Sequence, residues 1–474
     1  MSTQSTAKSL SLFVLIMLIV GAIDSIRNMP ATALFGSSLV FFFFVAIVLF
    51  LIPTALVSAN LSSSLPDHNG VHDWVKSAMG GKFAFIVIWL QWINTMVWYP
   101  TILSFLAGIL AYLVHPALAQ NKFYLISVIL IVFWSLTFIN LKGLQVSAKF
   151  SSICAVFGMV IPMALIMLLA LMWLFSGKPL QVHFTASHFI PNFSQGQNWI
   201  SLTAIITAFL GMELAMVHVK NIKNSRKLIP KALFFAVIFV MVTMFFGSMS
   251  IAYVVPADKI NLVDGIMQAF SAFFDAYHLH WMLPILGVMI FIGGLGSMVN
   301  WMISPAKGLL LAGQNGYLPK KLCKLNQHGV AGNILITQAV LVSVVCLAFL
   351  LMPSVNGSYW LLTDLSTQLY MLMYILMFVA AILLTNSKLK QTENVFNIPG
   401  KKWGSVIVGL AGVFGCVIAL FVGFIPPSNI AVGGYWHYEL VFSIGMLLMI
   451  SPALLLFGYK YLSKSRHLKS RLVT

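Results

Sequence analysis

The sequence predicts an all-α polytopic membrane protein with twelve transmembrane helices, and three observations carry that prediction. Of 474 residues, 60% are hydrophobic and only 8% are charged, whereas soluble domains carry about 25% charged residues. The apolar runs are continuous and about 20 residues or longer, the length a helix needs to cross the hydrocarbon core. A membrane barrel would instead show alternating segments of about ten residues. The third observation is charge asymmetry: a net charge of +17 sorts almost entirely to one side of the expected spans.

Taken in order, the expected spans lie at roughly 10–36, 38–60, 83–113, 122–141, 146–176, 198–219, 230–255, 281–310, 332–353, 358–385, 404–425 and 437–461. With the N-terminus inside, the external Lys and Arg residues are Lys122, Lys178 and Lys259, and Arg27 is within the membrane. The other 23 of the 27 fall on the cytoplasmic side. This is the positive-inside pattern, and it places both termini in the cytoplasm. The basic segments 220–231 and 460–471 then read as juxtamembrane anchors to anionic lipid. Nucleic-acid binding is excluded as the reason for the charge.

MSTQSTAK is weakly charged, and the apolar stretch after it is too long for a cleavable signal and lacks a small-residue cleavage pattern, so the first span is expected to be retained. That span is interrupted. It reads LSLFVLIMLIVGAIDSIRNMPATALF, with Asp24 and Arg27 near its middle and Pro30 beyond. A charge at bilayer depth costs at least about 2.5–3.5 kcal/mol, and such residues face a cavity or a partner. Gly21, Ala22, Ile23 and Ser25 surround the expected break, with Gly21 and Ser25 supplying a permissive backbone and a small hydroxyl. Gly21 also has a plainer reading, as a close helix-packing point. Asp24 and Arg27 would share a face of an intact helix. They form either an internal ion pair or a site where Arg27 takes a carboxylate and Asp24 an amine or proton.

The sixth span repeats the pattern in AIITAFLGMELAMVHV, at Gly211 and Glu213. Spans 1–5 (10–176) and 6–10 (198–385) each begin with a Gly-interrupted helix. Five is odd, so the second set enters from the opposite side. The expectation is one integral domain over 1–474: a five-plus-five inverted repeat with broken first and sixth helices, and two appended helices at 404–461. Paired interruptions of this kind are the best pointer in a sequence to a transporter's binding site. Unwound backbone frees N–H and C=O groups that lipid cannot satisfy. Half-helix N-termini suit a carboxylate, and freed carbonyls and acids suit an ammonium group. Two opposed breaks therefore make an amino-acid clamp.

Glu213 is the only acid in its span and reads as a substrate or proton site, or as a structural carboxyl bonded to a neighbouring helix. His218, near the cytoplasmic end, is either a pH-responsive gate or a hydrogen-bonded interfacial residue. Trp301 in the eighth span, and Tyr370 and Tyr374 four apart in the tenth, are aromatics that either wall a substrate cavity or simply pack. Trp98, Tyr99 and Pro100 give a weaker version of the same signal. Asp364 and Glu439 lie near external span ends and are expected at the interface. The polar stretches at 62–82 and 256–280 are each expected to hold an amphipathic helix, the second laid on the external surface.

No enzyme motif is present: no HExxH, GxSxG or GxxxxGK[ST], and no His/Cys cluster at ligand spacing. No cofactor, metal site or disulfide framework is implied by the four scattered cysteines, Cys154, Cys323, Cys346 and Cys416. Channel function lacks a filter-like segment.

The residues resemble the amino acid–polyamine–organocation superfamily, and within it the glutamate/GABA antiporter branch. The resemblance covers nearly the whole chain. It is carried by FIPNFSQGQNWISLTAIITAFLGMELAMVHVKNIKNSRKLIPKA (189–232), INLVDGIMQAF (260–270), NWMISPAKGLLLAGQNGYLP (300–319), FNIPGKKW (396–403) and FIPPSNI (424–430). It implies a LeuT-like fold exchanging amino acids by alternating access. It also implies that Glu213, Trp301 and Tyr370 line the substrate path. The chain departs from that branch in the first span, where the branch has a tyrosine in place of Arg27 and an apolar residue in place of Asp24. The added charges imply a different side-chain preference. The function expected is a secondary active amino acid antiporter, exchanging an external amino acid for an internal one or its amine. Proton-coupled uptake is the alternative, and a homo-oligomer is left open.

Overall fold

The computed structural model describes residues 11–65, 70–143, 156–182, 199–214, 225–385 and 396–471, with a few single positions between them. Every regular element among the described residues is helical. Among the described residues eleven helices are long and apolar enough to cross a membrane. In chain order they are Leu12–Ala33, Gly36–Ser64, Gly81–Val114, Lys122–Leu141, Val156–Phe175, Arg226–Val254, Met282–Leu311, Gly332–Leu351, Val355–Thr385, Lys401–Gly423 and Tyr435–Phe457. The twelve expected spans thus become eleven and one shorter apolar helix, Ile200–Leu214, at the sixth position. The expected sixth span continued to 219, but residues 217–219 lie outside the described residues. Ordinals below count this helix as the sixth.

The burial pattern is that of a lipid-solvated bundle. Large apolar side chains such as Phe44, Ile131, Phe234, Ile285 and Leu447 are exposed, while Asp24, Arg27, Glu213, Asp364 and Gln368 are buried. In water such a surface would be an aggregation face; against lipid it is the expected one.

The helices fall into two compact units, each drawn from both sequence halves. The first contains residues 1–87, 160–283 and 370–425. Here the first span is two helices, Leu12–Ile23 and Met29–Ala33, joined through an extended Asp24 (φ −73°, ψ 134°), an extended Ser25 (φ −152°, ψ 119°) and a 3-10 turn at Ile26–Asn28. Pro30 opens the second piece, where a missing N–H costs nothing. Small residues bring the seventh span onto it: a Cβ on Gly247 would meet the Met29 side chain, and Thr32 Oγ1 lies 2.5 Å from Ser248 Oγ.

Outside the spans, Val71–Met79 and Gly265–Ala276 are the two amphipathic helices expected. The latter is packed more deeply than a helix laid on a surface. Ile266, Met267, Phe270, Phe273 and Phe274 are all buried, and a Cβ on Gly265 would stand 2.9 Å from Pro30 Cβ. Lys178 ties the end of the fifth span to this helix by lying 5.2 Å from the Trp173 ring and 5.3 Å from the Tyr277 ring.

The second unit contains residues 88–159, 284–369 and 426–474. Its fifth-span segment and eighth span touch through glycines: a Cβ on Gly293 would stand 2.6 Å from the Cys154 carbonyl, the close backbone approach that small residues permit between membrane helices. Asp364, near the start of its span, is 2% exposed, and its carboxylate accepts from Tyr438 Oη (2.6 Å) and Gln368 Nε2 (2.9 Å). Glu439 is half-buried. The four cysteines are unbridged.

Candidate functional site

The first unit brings the two interruptions together. The sixth helix loses its α-helical course after Ala208. Gly211 follows with φ +105°, a conformation that side chains resist. A Cβ there would stand 2.7 Å from the Ala22 carbonyl oxygen. Glycine therefore meets two demands at once, the turn and the contact with the first span. Met212–Leu214 then forms a short 3-10 turn, with Leu214 N–H donating to the Gly211 carbonyl at 3.1 Å.

Tyr374 fixes this turn. Its hydroxyl accepts from Gly211 N–H at 3.0 Å and donates to Glu213 Oε2. The ring is fully buried. It is held edge-on by Phe50 at 4.9 Å and by Tyr370 at 5.6 Å between centroids. Glu213 is 1% exposed, so the acid is oriented in a water-poor environment.

On the first-span side, Ile23 and Arg27 are buried, and Gly21, Ala22 and Ser25 are half-buried. Gly21 is not at the break. It lies inside Leu12–Ile23, three residues before the chain turns extended. Among the described residues nothing lies within 4 Å of where its Cβ would be.

Asp24 meets the seventh span rather than Arg27. Thr243 Oγ1 lies 2.6 Å from Asp24 Oδ2, and 2.9 and 3.2 Å from the carbonyl oxygens of Phe239 and Val240. Asp24 Oδ1 is buried and has no hydrogen-bond partner among the described residues. Sequence reading missed Thr243. A hydroxyl in the middle of an apolar span was the available signal, but nothing in spacing links residues 219 apart.

Trp301 belongs to the second unit, in the eighth span, half-buried against Trp98 at 5.5 Å between centroids. Pro305, four residues on, has no N–H for the Trp301 carbonyl. Tyr99 Oη supplies the bond instead, at 3.0 Å. The Trp98–Tyr99 pair noted in the sequence thus fixes both ring and backbone of Trp301. His218 lies outside the described residues. Among the described residues no cluster of His, Cys, Asp and Glu could hold a metal.

Comparison with known proteins assigns the family. The amino acid permease model matches residues 10–449. The chain is 39% identical over 443 residues to an uncharacterized transporter of Legionella pneumophila, covering 94% of this chain and 95% of that protein. It is 28% identical over 475 residues to a glutamate/gamma-aminobutyrate antiporter of Lactococcus lactis, covering 98% and 94%. Similarity of 22% over 381 residues extends to the probable agmatine/putrescine antiporter of the same species, covering 80% of each. These relatives are membrane transporters, not enzymes. Two interrupted helices meeting at Gly211 and Ala22, in a bundle with lipid-type exposure, are what such a match leads one to expect: the chain belongs to the amino acid permease family, within the amino acid–polyamine–organocation superfamily of multi-pass membrane transporters.

Proposed function

We propose that the protein is a secondary active antiporter of the bacterial inner membrane, with both termini cytoplasmic. It exchanges an external amino acid for an internal amino acid or its amine. The observation that carries this reading is the meeting of the two breaks, with Gly211 against Ala22 and Glu213 held by Tyr374. The names of the Lactococcus relatives support the exchange and the amino acid or amine substrate.

In this reading the backbone of Gly21, Ala22, Ile23 and Ser25, with Gly211, receives the α-carboxylate and ammonium groups. Gly21 leaves room for them. Glu213 is the acid of the path and carries its proton. Asp24 and Arg27 set the charge of the first break. Trp301, Tyr370 and Tyr374 wall the site and gate it, and His218 adds pH response at the cytoplasmic end. The twelve helices form the inverted repeat, 10–176 and 198–385, with 404–461 appended. Anionic lipid holds the basic cytoplasmic segments.

A counterflow panel of amino acids and amines, run on wild type and Arg27→Tyr, tests the assignment of charge selectivity. A shift of the variant toward glutamate or gamma-aminobutyrate is expected. Identical substrate profiles would remove Arg27 from the selectivity role.

A further inference from the structure

Asp24 is buried at the break with a single side-chain hydroxyl, that of Thr243, bonded to its carboxyl. One hydroxyl hydrogen faces three acceptors: Asp24 Oδ2, Phe239 O and Val240 O, at 2.6, 2.9 and 3.2 Å. Asp24 is 3% exposed, and its Oδ1 lacks a hydrogen-bond partner among the described residues. The adjacent Ser25 backbone is the other polar group near the carboxyl. Among the described residues no cation forms an ion pair with it. Glu213, across the break, is bonded to Tyr374. The seventh span offers Thr243, whose immediate neighbours are apolar. A buried anion with one oxygen bare is a costly arrangement, and side chains so placed neutralise instead.

We infer that Asp24 is a proton-binding site, distinct from Glu213, that couples proton movement to the hinge of the first span. One added proton removes the buried charge. Asp24 O–H donates to Thr243 Oγ1, the Thr243 O–H is released to the Phe239 carbonyl, and Oδ1 becomes an uncharged carbonyl oxygen. The balance is a carboxylate plus one proton giving a carboxylic acid, with no other bond made or broken. Asp24 is also the residue at which Leu12–Ile23 ends, its N–H closing on the Val20 carbonyl at 2.7 Å. Gain or loss of this proton therefore makes or breaks the side-chain tie between the break and the seventh span. The neutral form stabilises the packed arrangement. The anion demands water, and so favours an arrangement that opens the break. This inference rests on the antiport reading for its coupling role, but the proton itself does not.

Infrared difference spectroscopy of the purified protein tests it. Wild type at neutral pH is expected to show a protonated-carboxyl C=O stretching band that Asp24→Asn lacks and Glu213→Gln retains. Thr243→Val, which keeps Asp24 and removes its acceptor, is expected to shift the same band, and this arm decides the matter if Asp24→Asn does not fold. A band unchanged in both variants at residues 24 and 243 overturns the proton assignment. In liposomes, acceleration of uptake by an imposed pH gradient, measured against each protein's own rate without one, is expected in wild type and lost in Asp24→Asn. Persistence of the acceleration in the variant overturns the coupling role. Absence of any exchange by wild type would defeat the antiport reading while leaving the infrared result standing.

Discussion

The Tyr374 hydroxyl does two jobs with one oxygen: it accepts from the Gly211 N–H and donates to Glu213. Tyr374→Phe removes both bonds while keeping the ring against Phe50. A buried N–H left unsatisfied costs about 1–3 kcal/mol. The variant is expected to melt lower in detergent and to transport more slowly than wild type. A transport rate and melting temperature equal to those of wild type would show that the bond holds nothing in place. Gly211→Ala is expected to be more severe. The left-handed φ costs a non-glycine residue about 1–2 kcal/mol, and the added Cβ would stand 2.7 Å from the Ala22 carbonyl. Near-complete loss of transport with partial retention of folded protein is expected, read by uptake and by monodispersity on gel filtration. Full activity would mean that the two breaks do not need to touch.

At the scale of elements, the helix Gly265–Ala276 carries a buried acid at its start. Asp264 is 3% exposed, and burial pushes its carboxyl from the usual 3.8 up to about 7. The folded chain thus keeps a proton that the unfolded chain releases. The stability contributed by neutral Asp264 is fully present below 3.8 and is lost as pH rises through about 7. Thermal unfolding followed across that window is expected to show wild type losing stability with rising pH, and Asp264→Asn losing less. Parallel slopes for the two proteins would contradict this account of Asp264.

Element boundaries were largely readable from sequence, because hydropathy over 20 residues is a local property. Lys122–Leu141 and Gly332–Leu351 begin where the apolar runs do. The existence of both breaks was readable from Gly, Pro and charge within apolar runs. Their position was less so: the first falls at Asp24–Ser25, with Gly21 still helical. Long-range partners were not readable. Thr243 on Asp24, Tyr438 on Asp364 and Tyr99 on the Trp301 carbonyl join residues 219, 74 and 202 apart. Periodicity within a helix says which face is polar, but not which neighbour answers it. Asp364 shows the consequence, since nearness to a span end gave no sign of the bond to Tyr438 that buries it.

For the whole molecule, the distribution of polarity is the organising fact. Asp24, Glu213, Asp264 and Asp364 are buried while large apolar side chains such as Phe44 and Leu447 are exposed, as expected where lipid is the solvent and buried polar side chains must answer one another or a substrate. Membership of the amino acid permease family makes the protein a transporter. The central claim is that it works by exchange. Uptake of labelled amino acids into liposomes containing the purified protein, preloaded with unlabelled amino acids or amines in one set and empty in the other, tests that claim most directly. Uptake accelerated by an internal counter-substrate and slow without it is the result expected. Equal uptake into empty liposomes driven by a pH gradient, or no uptake of any amino acid or amine, would contradict it.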